Sequence, residues 1–243
     1  TGGIGQAFSR QLVGLGARVI LAGRNPDLLE KAAKELPDAP GGVLGTVVSD
    51  ISTPEGCTEL FEKSRQITAV PDMLINNAGM INYGRFADIP GEHWETLMRV
   101  NLLSPMRLCR LFVPGMAARG HGHLVFICSL AGLVATSMST PYTASKFGMR
   151  GFAMGLSGDL KGTGLDVTIV YPSWVNTKLL QSREFGDAKA GRVPRLLNED
   201  PDRVVHSAIK GIRKNKLHVC PGPFAGLVWY ASKLRPIVAR QAH

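Results

Sequence analysis

Strand-type and helix-type patterns alternate along this 243-residue chain, and that alternation restricts the fold more than any single motif does. Apolar runs suited to buried strands occur at Arg18–Ala22, Val43–Ser49, Met73–Asn76, His123–Cys128, Asp166–Tyr171 and Leu217–Cys220. Between and around them lie helical patterns at Gly3–Leu15, Pro26–Leu36, Pro54–Gln66, Glu92–Leu103, Pro105–Ala118, Tyr142–Lys161 and Pro201–Lys214. Strands that alternate with helices assemble as βαβ units and a parallel sheet. The expected fold is therefore α/β, a doubly wound parallel sheet flanked by helices, in one domain over residues 1–243. A composition of 44% hydrophobic and 19% charged residues suits such a domain with a sizeable core.

The segment Ser129 to Lys146 carries the chemistry. Tyr142 and Lys146 are four residues apart, so on a helix they stand on one face, one turn from each other. An unperturbed phenol titrates at about 10, and a neighbouring ammonium favours the phenolate and brings proton transfer into range. Ser129 ends the apolar run Leu124–Cys128, which places its hydroxyl where a buried strand meets its loop. At the other end of the chain, Thr1-Gly2-Gly3-Ile4-Gly5 is a glycine turn opening a helix. Lacking Cβ atoms, such a turn lets a pyrophosphate approach the free N–H groups of the helix N-terminus.

Two further landmarks stand between these motifs: the strand end Asn76-Asn77-Ala78-Gly79, and Asn101 in Arg99-Val100-Asn101-Leu102-Leu103. In this order and spacing the set resembles the short-chain dehydrogenase/reductase family, and the resemblance covers essentially the whole chain. It implies a Rossmann-like sheet. It also implies that the first strand and first glycine of T-G-x-x-x-G-x-G precede Thr1, so the first strand is missing from this sequence; Gly3 and Gly5 match the last two glycines of that motif. Carried over residue by residue, the resemblance makes Tyr142 the general acid/base. Ser129 becomes the hydrogen-bond partner of the substrate oxygen, and Lys146 the modulator of Tyr142 and binder of the nicotinamide ribose. Asn101 holds a water linking Lys146 to solvent. Cofactor contacts are expected from Gly3, Ile4 and Gly5 at the pyrophosphate, from Asp50 and Ile51 beside the adenine, and from Asn77, Ala78 and Gly79 along the adenosine ribose. Tyr142 and Lys146 follow, with Pro172, Val175 and Thr177 near the nicotinamide. In Pro172-Ser173-Trp174-Val175-Asn176-Thr177 the family's glycine is replaced by Ser173.

Cofactor choice is read at the end of the strand Arg18–Ala22. An acid there would accept from a ribose 2′-OH and repel a 2′-phosphate, whereas this chain has Gly23 and Arg24. NADP, as NADPH, is favoured over NAD. The expected activity interconverts a carbonyl and an alcohol by hydride transfer. The expected substrate is a small, apolar carbonyl compound or alcohol, because Met80, Tyr83, Leu130, Met138, Trp174 and Leu179 adjoin the motifs. Residues 176–200 form a long connection suited to a substrate-side lid. Residues 223–243 form a helical tail that packs on the domain, mediates a subunit contact or touches a membrane surface.

Other classes fit less well. The net charge of +9 is scattered, without a Lys/Arg block or aromatic interleaving, so no nucleic-acid partner is expected. The longest apolar run is too short to span a bilayer. Cys57, Cys109, Cys128 and Cys220 form no C-x-x-C pair and suggest reduced thiols, no metal site and a cytoplasmic setting, although any N-terminal signal would lie outside this sequence. A homodimer or homotetramer is expected from the family. Two competing readings are a catalytically idle NADPH-binding sensor, which would not need Ser129, Tyr142 and Lys146 together, and a peripheral basic surface-binding protein, in which charge would cluster.

Overall fold

The computed structural model describes residues 2–175, 183–187 and 198–234 together with the strand at 237–239. Thr177, Leu179 and most of the 176–200 connection lie outside the described residues.

The chain begins with helix α1 (Gly3–Gly14) and runs through β1 (Arg18–Gly23), α2 (Pro26–Lys34), β2 (Gly42–Val48), α3 (Pro54–Ile67) and β3 (Met73–Asn76). Then come α4 (Gly91–Met98), α5 (Ser104–Arg119), β4 (Gly122–Ile127), β5 (Val134–Thr136), α6 (Thr140–Asp159) and β6 (Leu165–Val170). The C-terminal part has β7 (Trp174–Val175), β8 (Asn198–Glu199), α7 (Pro201–Ile212), β9 (His218–Val219), α8 (Gly222–Leu234) and β10 (Ile237–Ala239). Helix starts follow local chemistry. Asn25, Thr53 and Asp200 cap α2, α3 and α7 through their side chains, each with proline in the first turn. Pro141 likewise occupies the first turn of α6, so that helix starts two residues before Tyr142.

Every strand pairing among the described residues is parallel. One ladder joins β1 to β2 and another runs β3-β4-β6-β9. β1 and β3 share no ladder, and helices cover both faces of the strands, as expected of a doubly wound parallel arrangement. Successive side chains of a strand point to opposite faces, and β4 and β6 sort accordingly. Leu124, Phe126, Val167, Ile169 and the following Tyr171 join the core under α3, α5 and α6, with Leu60, Phe112 and Met149. Val125, Ile127 and Val170 join Phe8 of α1 and Val205 and Ile209 of α7 on the other face. Both faces are thus covered, and burying each large apolar side chain contributes roughly 1.5–3 kcal/mol. No helix among the described residues is long and apolar enough to cross a membrane.

The expected helical tail is only partly helical. α8 packs its Val228 and Trp229 on the core, and β10 then pairs with β5. Trp229 packs against His218 with ring centres 4.3 Å apart and planes tilted by 41°, while Tyr171 Oη is 3.0 Å from His218 Nδ1. Burial, with the charges of Arg150 and Lys233 beside it, pulls the His218 pKa from 6.5 down to about 4. The folded protein therefore resists protonation that the unfolded chain accepts, so this group costs stability as pH falls from 6.5 toward 4. Urea unfolding midpoints measured across that window should fall less steeply for His218→Gln than for the wild type; parallel curves would contradict this.

Candidate active site

The site is assembled at the C-terminal ends of the strands. β4 ends at Ile127, and Cys128 N–H donates to the Val170 carbonyl at 2.8 Å, so the chain leaves the sheet held against β6. Ser129 then caps a short 3-10 turn, Leu130–Gly132, by accepting from Ala131 N–H at 3.1 Å. Its hydroxyl and the Tyr142 phenol line the same cavity, close enough for the serine to favour the ionised phenol. Leu130 N–H donates to the Pro172 carbonyl at 3.0 Å, which fastens this turn to the segment after β6.

Tyr142 and Lys146 share one face of α6 and are 7% and 3% exposed, a degree of burial that few lysines show. The Lys146 ammonium donates to the Ile127 carbonyl at 2.9 Å and stands 5.7 Å from the centre of the Tyr142 ring. Gly132 leaves room for the backbone of α6 and for Cys128, and Gly79 packs near the ammonium at ordinary contact distance. A Cβ on Gly132 would come within 3.0 Å of the Lys146 carbonyl oxygen and 2.6 Å of Cys128 Sγ, and one on Gly79 would stand 3.8 Å from Lys146 Nζ. The Asn77–Gly79 turn is thereby brought beside the ammonium.

Electrostatically the pair differs from the simple expectation of a phenol acidified by its lysine. Burial pushes the Tyr142 phenol above its ordinary value of 10, and Ser129 opposes that shift. Burial also lowers the Lys146 pKa. The reason is geometric: the ammonium is directed at the Ile127 carbonyl, and both groups have lost water.

Asn101 is buried at the junction of α4 and α5. It sits in a turn of π-helix, Arg99–Leu103, that joins α4 to α5 where one continuous helical run to Leu103 was expected. Its amide is fully buried and well satisfied: Oδ1 accepts from Met80 N–H at 2.8 Å, while Nδ2 donates to the Met80 carbonyl at 2.9 Å and to Ser145 Oγ at 3.0 Å. Ser104, one turn on, ties the same bulge to the Arg99 carbonyl at 2.7 Å and to the Ile51 carbonyl. Asn101 thus fixes the segment after Gly79 against α6 with its side chain. Sequence reasoning did not find the Met80 and Ser145 contacts, because neither follows from spacing along one element.

A cavity of about 1440 Å³ extends from the gap between β1 and β3 to these groups. Gly3, Ile4, Gly5, Arg24, Asp50, Ile51, Asn77, Ala78, Gly79, Ser129, Tyr142, Lys146, Pro172 and Val175 all line it. Asn101 stands behind the wall, and Thr177 is outside the described residues. The lining suits a dinucleotide on three counts. The N-terminus of α1 opens on the cavity at Gly2–Gly5 with no side-chain cap and no acid in its first turn, leaving N–H groups for an anion. Arg24 follows β1, exposed and without an acidic neighbour in hydrogen-bond range among the described residues. Asp50 accepts from Ser52 N–H at 3.0 Å, which sets the bend after β2 that carries Ile51 to the wall. Further along, Trp174 faces Phe224 of α8 with ring centres 6.1 Å apart, and Leu130, Val134 and Leu227 extend this apolar surface. No cluster of metal-ligating side chains occurs among the described residues.

Comparison with known proteins places the chain. Residues 1–187 match the family described as short chain dehydrogenase. An uncharacterised oxidoreductase of Staphylococcus saprophyticus is 30% identical over 212 residues, 87% of this chain and 87% of its own. Among solved structures, a short-chain dehydrogenase of Sphingobium yanoikuyae in complex with NADPH is 24% identical, with a TM-score of 0.82 over 96% of this chain and 88% of that one. A short-chain dehydrogenase/reductase of Burkholderia phymatum in complex with NAD is 21% identical, with a TM-score of 0.83 over 96% and 89%. At these identities the two structures speak for the fold alone. The chain belongs to the short-chain dehydrogenase/reductase family of oxidoreductases.

Proposed function

We propose that this protein is an NADP(H)-dependent oxidoreductase that interconverts an apolar ketone or aldehyde and the corresponding alcohol. The observation that carries the reading is the convergence of Ser129, Tyr142 and Lys146 on one cavity with the lysine almost wholly buried. Burying an ammonium is costly, and a protein that only senses a dinucleotide has no use for that cost. The cofactor would be held by the N-terminus of α1, by Arg24, by Asp50 and Ile51, by the Asn77–Gly79 turn, and by Lys146 with Pro172 and Val175; when bound, it supplies or accepts the hydride.

The chain's own groups handle the proton. In reduction, Tyr142 Oη gives its proton to the carbonyl oxygen as negative charge builds there, and burial keeps the phenol protonated at neutral pH, the form this step needs. Ser129 Oγ donates a second hydrogen bond to the same oxygen and stabilises that charge. The Lys146 ammonium offsets the phenolate left behind. In oxidation the phenolate takes the proton back. The apolar surface of Leu130, Trp174, Phe224 and Leu227 favours an aliphatic or aromatic flank on the substrate over a sugar.

NADP is preferred to NAD in this reading because Gly23 and Arg24 end β1 where an acid would bind ribose. The two structural neighbours hold one cofactor each, so Arg24 carries the choice. A subunit assembly and a cytoplasmic setting, as in the family resemblance, complete the proposal.

Tyr142→Phe should bind NADPH within about twofold of the wild type and lose nearly all turnover of a ketone panel, a loss of at least the 10²-fold typical of removing a general acid. Turnover near the wild-type rate in that variant would exclude the mechanism. Arg24→Ala should weaken NADPH by one to two decades, corresponding to roughly 1.5–3 kcal/mol for a bond to a charged group, and leave NADH nearly unchanged. Equal affinity of the wild type for NADPH and NADH at low salt would overturn the cofactor assignment.

A further inference from the structure

We propose that Glu199 is a positioning residue that holds the cleft-side turn Pro172–Val175 through Ser173. The inference rests on the functional reading above only for what occupies the cleft.

Ser173 stands where the family resemblance expects glycine, and the structure gives the substitution a partner. Ser173 N–H donates to Glu199 Oε2 at 3.3 Å, and the serine hydroxyl nearby adds to what favours the ionised carboxylate. A glycine would offer the N–H alone. An ionised carboxylate accepts this bond, and charge assistance makes it stronger than a neutral one.

The surroundings are shaped for that carboxylate. The parallel pair of β7 and β8 sets Val175 opposite Glu199 and brings the acid alongside the turn. On the other side lies Gly222, at the start of α8, with φ of 71°; a Cβ there would sit 2.6 Å from Glu199 Oε1. Gly222 therefore serves twice, adopting a left-handed backbone and leaving the space that Glu199 fills. Burial raises the Glu199 pKa, and the polar groups of Ser173 oppose the rise.

The consequence reaches the reacting groups through backbone. The Pro172 carbonyl, one residue before Ser173, accepts from Leu130 N–H at 3.0 Å, and Leu130 follows Ser129 in the turn that Ser129 caps. Glu199, Ser173, Pro172 and Leu130 form one connected line that ends beside the Ser129 hydroxyl. Trp174, in the same turn, faces Phe224 of α8, so the line also sets one apolar wall of the cleft.

The test compares Glu199→Ala, Glu199→Gln and Ser173→Gly in the full chain by three measurements: amide hydrogen exchange at Ser173 and Leu130 without ligand, the NADPH dissociation constant by fluorescence, and the unfolding temperature. Glu199→Ala should speed exchange at both amides and weaken NADPH about tenfold, with the unfolding temperature little changed. Glu199→Gln, which keeps an acceptor oxygen, should recover most of both effects, and Ser173→Gly, which keeps the N–H bond, should fall between. Wild-type exchange and affinity in Glu199→Ala would overturn the proposal. So would equal losses in the Ala and Gln variants accompanied by a fall in unfolding temperature, the mark of general destabilisation. Should the wild type bind neither NADPH nor NADH, the functional reading fails, and exchange at Ser173 and Leu130 still decides whether Glu199 holds the turn.

Discussion

The buried ammonium of Lys146 is the constraint around which the site is organised. Its charge has been moved out of water, which is tolerable only with strong local acceptors, and the Ile127 carbonyl at 2.9 Å supplies one. That bond ties α6 to the end of β4. Close packing of α6 here also needs Gly132 without a side chain, because a Cβ there would come 2.6 Å from Cys128 Sγ and 3.0 Å from the Lys146 backbone oxygen, and Gly79 packs near the ammonium. Tyr142, one turn earlier on the helix, is then fixed against Ser129 at the mouth of the same strand.

The rest of the fold serves this junction in ordinary ways. Alternate side chains of β4 enter the two cores, Leu124 and Phe126 on one face and Val125 and Ile127 on the other, so the strand that presents Ile127 and Ser129 is clamped from both sides. Asn101 performs a similar task for the neighbouring strand. Its amide is spent on Met80 and Ser145, joining the segment after β3 to α6. The π-helical turn around Asn101 is the local distortion that accompanies this contact.

Much of this was legible in the sequence because it depends on spacing within one element. The four-residue separation of Tyr142 and Lys146 gives their shared face, the apolar run before Ser129 gives the strand end, and alternating patterns give the parallel sheet. Contacts between distant segments were not legible. Nothing in the chain announces that Glu199 will meet Ser173, 26 residues before it, or that the strand after α8 will pair with Val134–Thr136. Spacing also misjudged the electrostatics. It brings a cation near the phenol but is silent on burial, which here raises the Tyr142 pKa.

The central claim is that this cleft passes a hydride to a carbonyl carbon while Tyr142 supplies the proton. The most direct measurement is isotopic: incubate the protein with an aryl alkyl ketone and NADPH deuterated at both C4 positions, then locate the label in the product by mass spectrometry and NMR. The account predicts one deuterium on the carbinol carbon of the alcohol and none on its oxygen after exchange with water. Alcohol formed without that deuterium, or no alcohol from any of a broad set of apolar ketones, would contradict it.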